Sequence, residues 1–438
     1  MKNISDKIKD LLEDISEDNN LLKYMYNRST EFIPGKTSVY YSGPFWDDEE
    51  LHAAIKTLIS GKWLSSGENV HKFEARFSKK FNQRHSVMVN SGSSANLVLV
   101  GALKKVLGWK DDDEILMSAV GFPTTLSPVM VFNLKPVFID IELDTLNLDL
   151  NLIEERITEK TKALFLSPVL GNSVDMDKLM GICEKHGLEL ILDNCDSLGS
   201  KWRGKLLSDY AIASTHSFYP AHHISTGEGG LVSSNREDII STCRSLAWWG
   251  RDCYCVGAAN LIPNGTCCNR FDKWLDDYDG IIDHKYVYGN IGFNLKPLDL
   301  QGAIGVVQLQ KVDLIHQKRM EHKKIMQDML LKRVKDIEVP IELEHSETSW
   351  FGVPIICKDK HQKMKLVNLL ESSKIQTRNY FAGNILIHPA YKHLDDFKKY
   401  PNSNQVLDRV FFLGCPPHYT KDTFDYIDSV LKDETHKL

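Results

Sequence analysis

The sequence predicts an α/β fold: a mostly parallel sheet flanked by helices, with a smaller C-terminal α+β domain. Three observations carry this expectation. Short apolar runs at 86–89, 115–117, 137–141, 163–166 and 188–192 read as strands. Helical periodicity near 151–157 and over 175–186 separates several of them. A small-residue turn, Asn90-Ser91-Gly92-Ser93-Ser94-Ala95-Asn96, joins the first strand to an apolar helix at 97–106. Strands that alternate with helices in this way form parallel sheets covered on both faces.

The elements follow in order. Residues 1–40 read as a helical N-terminal extension, with Ile8, Leu11, Leu12 and Ile15 at helical spacing. Residues 41–310 form the large domain. Within it, Asp47, Asp48, Glu49 and Glu50 precede an apolar helix at 51–59, where acidic groups suit a helix start. A loop at 61–67 follows, then a helix with Val70, Phe73 and Phe77 on one face. The stretch 250–285 is rich in Cys and Gly and shows no regular pattern. A helix at 298–309 leads into a long one at 312–334, and residues 311–438 make the linking helix and the small domain. That domain opens with a strand at 350–356 and a helix at 362–372.

The 438 residues carry 53 Lys and Arg against 59 Asp and Glu, a formal charge of −6. No basic stripe with interleaved aromatics is present, so no nucleic-acid partner is expected. No apolar run reaches membrane-spanning length, and the charged N-terminus lacks a signal-peptide core. The expected location is cytoplasmic. There, nine cysteines read as free thiols or metal ligands rather than disulfides.

The stretch 216–230, His-Ser-Phe-Tyr-Pro-Ala-His-His-Ile-Ser-Thr-Gly-Glu-Gly-Gly, organises the chain. It resembles the active-site segment of the DegT/DnrJ/EryC1/StrS family of sugar aminotransferases, which use pyridoxal phosphate (PLP). The resemblance runs from about residue 40 to about 430. It implies the aspartate-aminotransferase-like (fold type I) PLP-dependent transferase fold and a homodimer. In the family frame, Ser217-Phe218 and Gly227-Glu228-Gly229-Gly230 bracket a lysine that carries the cofactor. Here that position is His222. An imidazole cannot make the lysine's covalent link, but it can move a proton near neutral pH. The subgroup with histidine here resembles 3-dehydrases of nucleotide-linked 4-keto-6-deoxy sugars. They use pyridoxamine 5′-phosphate (PMP).

The resemblance implies roles for further residues. Gly92, Ser93 and Ser94, with Ser217, would hold the cofactor's phosphate at a helix N-terminus. Phe122 would stack on its ring. Asp193 would keep the ring nitrogen protonated, so that the ring accepts electrons. Asp196 stands where the family usually has glutamine near the ring hydroxyl. Asn294 matches a segment that crosses the dimer interface. His222 would be the base, with His223 behind it. Arg378 would clamp nucleotide phosphates, a task suited to guanidinium geometry, and His388 would face the sugar.

Cys195, Cys253, Cys255 and Cys267 complete the expectation. Four thiolates suit a [2Fe–2S] cluster or zinc, and the spacing alone leaves the metal open. The resemblance to iron–sulfur 3-dehydrases of CDP-4-keto-6-deoxyglucose favours the cluster, with Cys268 competing with Cys267 for the fourth place. The implied activity is C3 dehydration, with CDP-4-keto-6-deoxy-D-glucose as substrate, in making 3,6-dideoxy sugars. Electrons would come from a separate NAD(P)H-dependent flavin/iron–sulfur reductase. Two alternatives stay open: a cluster-free 3-dehydratase, and a non-catalytic scaffold with a zinc-stapled loop.

Overall fold

The computed structural model describes residues 3–17, 32–60, 63–253, 270–272 and 275–434. Its main sheet has seven strands: β1 (His85–Val89), β2 (Glu114–Ser118), β3 (Lys135–Ile139), β4 (Thr161–Leu166), β5 (Glu189–Asp193), β6 (Ala213–Ser217) and β7 (Gly230–Ser234). They lie in the order β1-β7-β6-β5-β4-β2-β3. Pairings from β3 through β6 are parallel, and β7 runs against both its neighbours. Six strands therefore share one direction, and their carboxyl ends lie together.

Both faces of this sheet are buried, so the central strands β2, β4 and β5 are apolar at successive positions, whereas the equally buried β6, Ala213-Ser214-Thr215-His216-Ser217, is polar. Ile115, Met117 and Ile191 enter a core with Val98, Leu99, Leu103, Ile239 and Leu246. Leu116, Leu190 and Leu192 enter the opposite core with Met176, Leu179 and Ile182. The helices are α1 (Ile4–Glu17), α2 (Asp48–Ser60), α3 (Glu68–Lys80), α4 (Gly92–Val106), α5 (Pro123–Val131), α6 (Met176–His186) and α7 (Glu237–Ala247). Then come α8 (Asp299–Arg333), α9 (Lys360–Ser372), α10 (Pro401–Arg409) and α11 (Lys421–Glu434).

A second sheet joins β8 (Ile337–Glu338), β9 (Gly352–Cys357), β10 (Arg378–Asn379) and β11 (Val410–Gly414). It is antiparallel throughout, in the order β8-β9-β11-β10. Helix α8 links the two sheets. Its first half packs on α2 and α3, and Met326 and Leu330 near its end enter the core of the small sheet.

Two local expectations change. The helices expected at 298–309 and 312–334 are one unbroken helix of 35 residues. Nothing in Leu309-Gln310-Lys311-Val312 breaks the backbone ladder, and Val312 and Ile315 continue the buried face. The segment expected to be helical at 151–157 is two 3-10 turns, Leu150–Leu152 and Glu154–Arg156. The Asp149 carboxylate caps the first of these turns. Among the described residues, no helix is long and apolar enough to cross a membrane.

Candidate active site

A cavity of about 330 Å³ opens at the shared carboxyl ends of the parallel strands. Its floor comes from the main sheet and the turns that leave it: Ser91, Gly92, Ser93, Phe122, Asp193 and Ser217. Its roof comes from elsewhere, as Tyr41, Phe351 and Phe381. His222, Asp196, Cys195 and Tyr219 stand between them. Clefts outside strand carboxyl ends are where such sheets bind ligands.

The turn after β1 is built for an anion. Ser91 caps α4, its hydroxyl accepting from the Ser94 N–H at 3.1 Å. Gly92 and Ser93 begin the helix and line the cavity, so unpaired N–H groups and the helix dipole face it. Gly230 makes this possible from below. A Cβ there would meet the Ser91 carbonyl oxygen at 2.1 Å, so only glycine lets β7 pass under the turn. Ser94 does not line the cavity: its hydroxyl donates to Asn90 Oδ1 at 2.6 Å.

Asp193 ends β5 and is buried. Its Oδ2 accepts from Asn96 Nδ2 at 2.8 Å and Thr125 Oγ1 at 2.7 Å. Asn96 is itself fixed by Thr215, whose hydroxyl donates to Asn96 Oδ1 at 2.6 Å. The carboxylate is thus oriented by α4, α5 and β6 together. Phe122, N-cap of α5, remains 51% exposed, with its ring 6.0 Å from that of Phe381. A large exposed aromatic at the mouth of a cavity offers a flat apolar face to a ligand.

The turn carrying His222 is closed at its base. The Phe218 N–H donates to the Gly229 carbonyl, and the Thr226 N–H to the Phe218 carbonyl. Phe218 is fully buried against Phe73 and Phe77, with centroids 5.1 and 5.8 Å away. His222 lies with its ring 5.2 Å from Phe351 and its Nδ1 3.5 Å from Asp196 Oδ1. That nitrogen is buried and makes no hydrogen bond within the described protein.

Burial, then the Arg319 cation, push His222 down to about 3, so the ring is unprotonated. Burial, then the Asp193 charge, push Asp196 up to about 7. Desolvation that keeps an imidazole neutral also weakens it as a base. The Cys195 thiol is pushed up by burial and by Asp193.

Other expected residues lie outside the cavity. His223 is buried, with Nε2 2.9 Å from the Ser349 carbonyl oxygen. Arg378 is exposed, with its guanidinium 4.1 Å from the centroid of the Tyr41 ring at the roof. His388 is half-buried and bonded to the Ala382 carbonyl. Asn294 is exposed and bonded to Lys296, away from its own chain's cavity.

Of the expected thiol set, Cys195 and Cys253 are among the described residues, and they line different cavities. Cys195 is on the cavity. Cys253 lines a separate polar cavity with Ser86, Glu74 and Arg244, at the amino end of β1. Cys255, Cys267 and Cys268 lie outside the described residues. Among the described residues, no group of three or more His, Cys, Asp or Glu side chains could hold a metal ion.

The model of the DegT/DnrJ/EryC1/StrS aminotransferase family matches residues 46–432. The chain belongs to that family. It is 36% identical over 417 residues to dTDP-4-dehydro-2,6-dideoxy-D-glucose 3-dehydratase of Saccharopolyspora spinosa, covering 92% of this chain and 88% of the relative. It is 34% identical over 414 residues to lipopolysaccharide biosynthesis protein RfbH of Salmonella typhimurium, covering 92% and 93%. The solved structure of E. coli GDP-4-keto-6-deoxy-D-mannose-3-dehydratase with bound hydrated PLP aligns with a TM-score of 0.78 at 29% identity. That alignment covers 90% of this chain and 100% of the other. Within the family, the chain groups with enzymes of the nucleotide-sugar 3-dehydratase kind. Its architecture is the PLP-dependent transferase fold that the DegT/DnrJ/EryC1/StrS pattern implied.

Sequence reasoning missed Tyr41, Phe351, Phe381, Asn96 and Thr125. The three roof residues belong to segments that carry no motif. Asn96 and Thr125 were legible only as members of small-residue turns.

Proposed function

We propose that this protein removes the C3 hydroxyl, as water, from a nucleotide-linked 4-keto-6-deoxyhexose, with PMP as cofactor and His222 as base. One observation carries this reading. An imidazole and, among the described residues, no lysine lines a cavity that also holds Asp193 and the α4 N-terminus. Such a cavity binds the cofactor without a covalent tether.

The residues fit the cofactor's parts. Gly92, Ser93 and Ser217, with Ser91, would hold the phosphate, Phe122 the ring face, and Asp193 a protonated ring nitrogen. When bound, PMP supplies an amine that joins the sugar's C4 carbonyl and a ring that accepts electrons from the adjoining carbon. His222 takes the proton from that carbon. The same proton is then available to the departing C3 hydroxyl, which leaves as water. Asp196 lies within reach of both His222 and the cavity. His223, bonded to Ser349, backs the turn. Arg378 over Tyr41 and His388 would act on the nucleotide sugar at the mouth.

The sequence resemblance favours CDP-4-keto-6-deoxy-D-glucose as substrate, and a homodimer in which Asn294 reaches the partner's cavity. A 3,6-dideoxy product takes two further electrons, supplied by a separate NAD(P)H-dependent reductase. The resemblance to iron–sulfur 3-dehydrases supports a [2Fe–2S] cluster on Cys195, Cys253, Cys255 and Cys267. The placement of Cys195 and Cys253 in different cavities favours a second reading, dehydration without a cluster, so no step here is routed through one.

Dehydration of the CDP, dTDP and GDP forms of the sugar, measured with PMP, tests the proposal. His222→Asn should abolish water loss, and His222→Lys should turn the enzyme toward amino transfer. Full dehydration by His222→Asn would end the reading. About two irons and two sulfides per chain, assayed without oxygen, would decide for the cluster, and none would decide against it.

A further inference from the structure

Arg319 lies in the middle of α8 and is fully buried. It makes no ion pair with a carboxylate among the described residues. Its Nη1 donates to the Phe351 carbonyl at 2.9 Å and faces that of Trp350 at 3.5 Å. Its Nη2 reaches the carbonyls of Ala221 at 3.3 Å and His222 at 3.4 Å, and Ser42 Oγ at 3.4 Å. Ser42 Oγ in turn donates to the Ala221 carbonyl at 2.6 Å.

Burying a guanidinium against neutral acceptors alone is costly, so the side chain is a poor choice for stability. Its geometry has another use. One planar fork holds the backbone of the His222 turn with one arm and the backbone entering β9 with the other. The second segment carries Phe351, whose ring packs on the His222 ring. A lysine ammonium, a single point of charge, cannot span both.

We propose that Arg319 is a positioning residue for the reaction. It fixes the distance between His222 and the Phe351 wall, and so sets where the imidazole stands in the cavity. This rests on His222 being the base, but the placement itself can be read without catalysis.

The test uses Arg319→Lys and Arg319→Met, with Ser42→Ala as a milder variant should either fail to fold. In the cofactor-free protein, the His222 ring resonances, assigned with His222→Asn, should move in each folded variant. Those of buried His284, remote from the turn, should stay. In the loaded enzyme, kcat for Arg319→Lys should fall at least about 10-fold while KM changes less than about 3-fold. This is the pattern of a lost transition-state interaction. Unmoved His222 resonances would overturn the proposal, whatever the activity. So would parallel losses in kcat, KM and thermal midpoint, which would mark Arg319 as a structural residue only. Moved resonances with a fully active His222→Asn would instead refute the base and leave the placement standing.

Discussion

Gly92 and Ser217 stand so close that a Cβ on Gly92 would lie 2.6 Å from the Ser217 Cβ. The same added atom would sit 3.1 Å from Cys195 Sγ. The first turn of α4 and the end of β6 are therefore pressed together at the floor of the cavity. Gly92→Ala should force one of them outward, at a cost of about 1–3 kcal/mol. PMP affinity, measured by equilibrium dialysis, should fall at least about 10-fold. Unchanged affinity would show that this turn is not the phosphate site.

Phe122 makes the opposite prediction, because it is half exposed and little of the fold rests on it. Phe122→Ala should leave the thermal midpoint within roughly 2 °C. Cofactor binding should weaken about 3- to 10-fold through loss of an aromatic contact. A large loss of stability with unchanged binding would reassign Phe122 to packing.

Asp193 receives Asn96 and Thr125 on Oδ2, while its Oδ1 accepts only the Cys195 N–H, at 3.3 Å, and keeps a lone pair for a ligand. Asp193→Asn keeps the shape but, under the proposed function, would place an amide where a protonated ring nitrogen would need a negative charge. The expected outcome is a loss in kcat of at least about 100-fold with the thermal midpoint nearly kept. Near-normal turnover would remove Asp193 from the chemistry.

Acid should destabilise the protein well above the carboxylate range. Burial pushes His216 from an ordinary 6.5 down to about 3. His418 falls to about 3 through burial and then the Arg319 charge. Between about 3 and 6.5 the unfolded chain binds protons at these sites that the folded chain refuses, so stability rises with pH there. Asp196, raised to about 7, acts in the other direction between about 4 and 7. With His216, His222 and His418 all depressed, the net expectation is a thermal midpoint that falls from pH 7 to pH 5. His216→Gln should flatten that slope. A midpoint that rises on acidification would contradict the burial of neutral imidazoles.

The sheet was legible because β2, β4 and β5 are buried on both faces and read as continuous apolar runs. The Gly/Ser turn, Asp193 and His222 were legible because local motifs mark them. Two kinds of feature were not. The unbroken α8 was split in the sequence reading at Gln310 and Lys311, a polar pair inside an apolar pattern; Gln310 faces outward, whereas Lys311 is largely buried and ion-paired with Asp47 and Glu50. Arg319 was invisible for a related reason. An arginine among Lys318, Glu321 and Lys323 reads as part of a solvated face, and only the approach of the His222 turn and β9 buries it. The roof residues Tyr41, Phe351 and Phe381 come from three separate segments and meet through tertiary packing around Phe412.

Floor and roof of the cavity thus have separate origins, one in the parallel sheet and one in the antiparallel sheet with the strand-like segment at Tyr41. Under the proposed function, exchange of Tyr41 or Phe381 overhead would alter what the cavity admits while Asp193 and the α4 turn underneath keep their places. Diversification of sugar choice, on this architecture, need not reopen the problem of how the bond is cut.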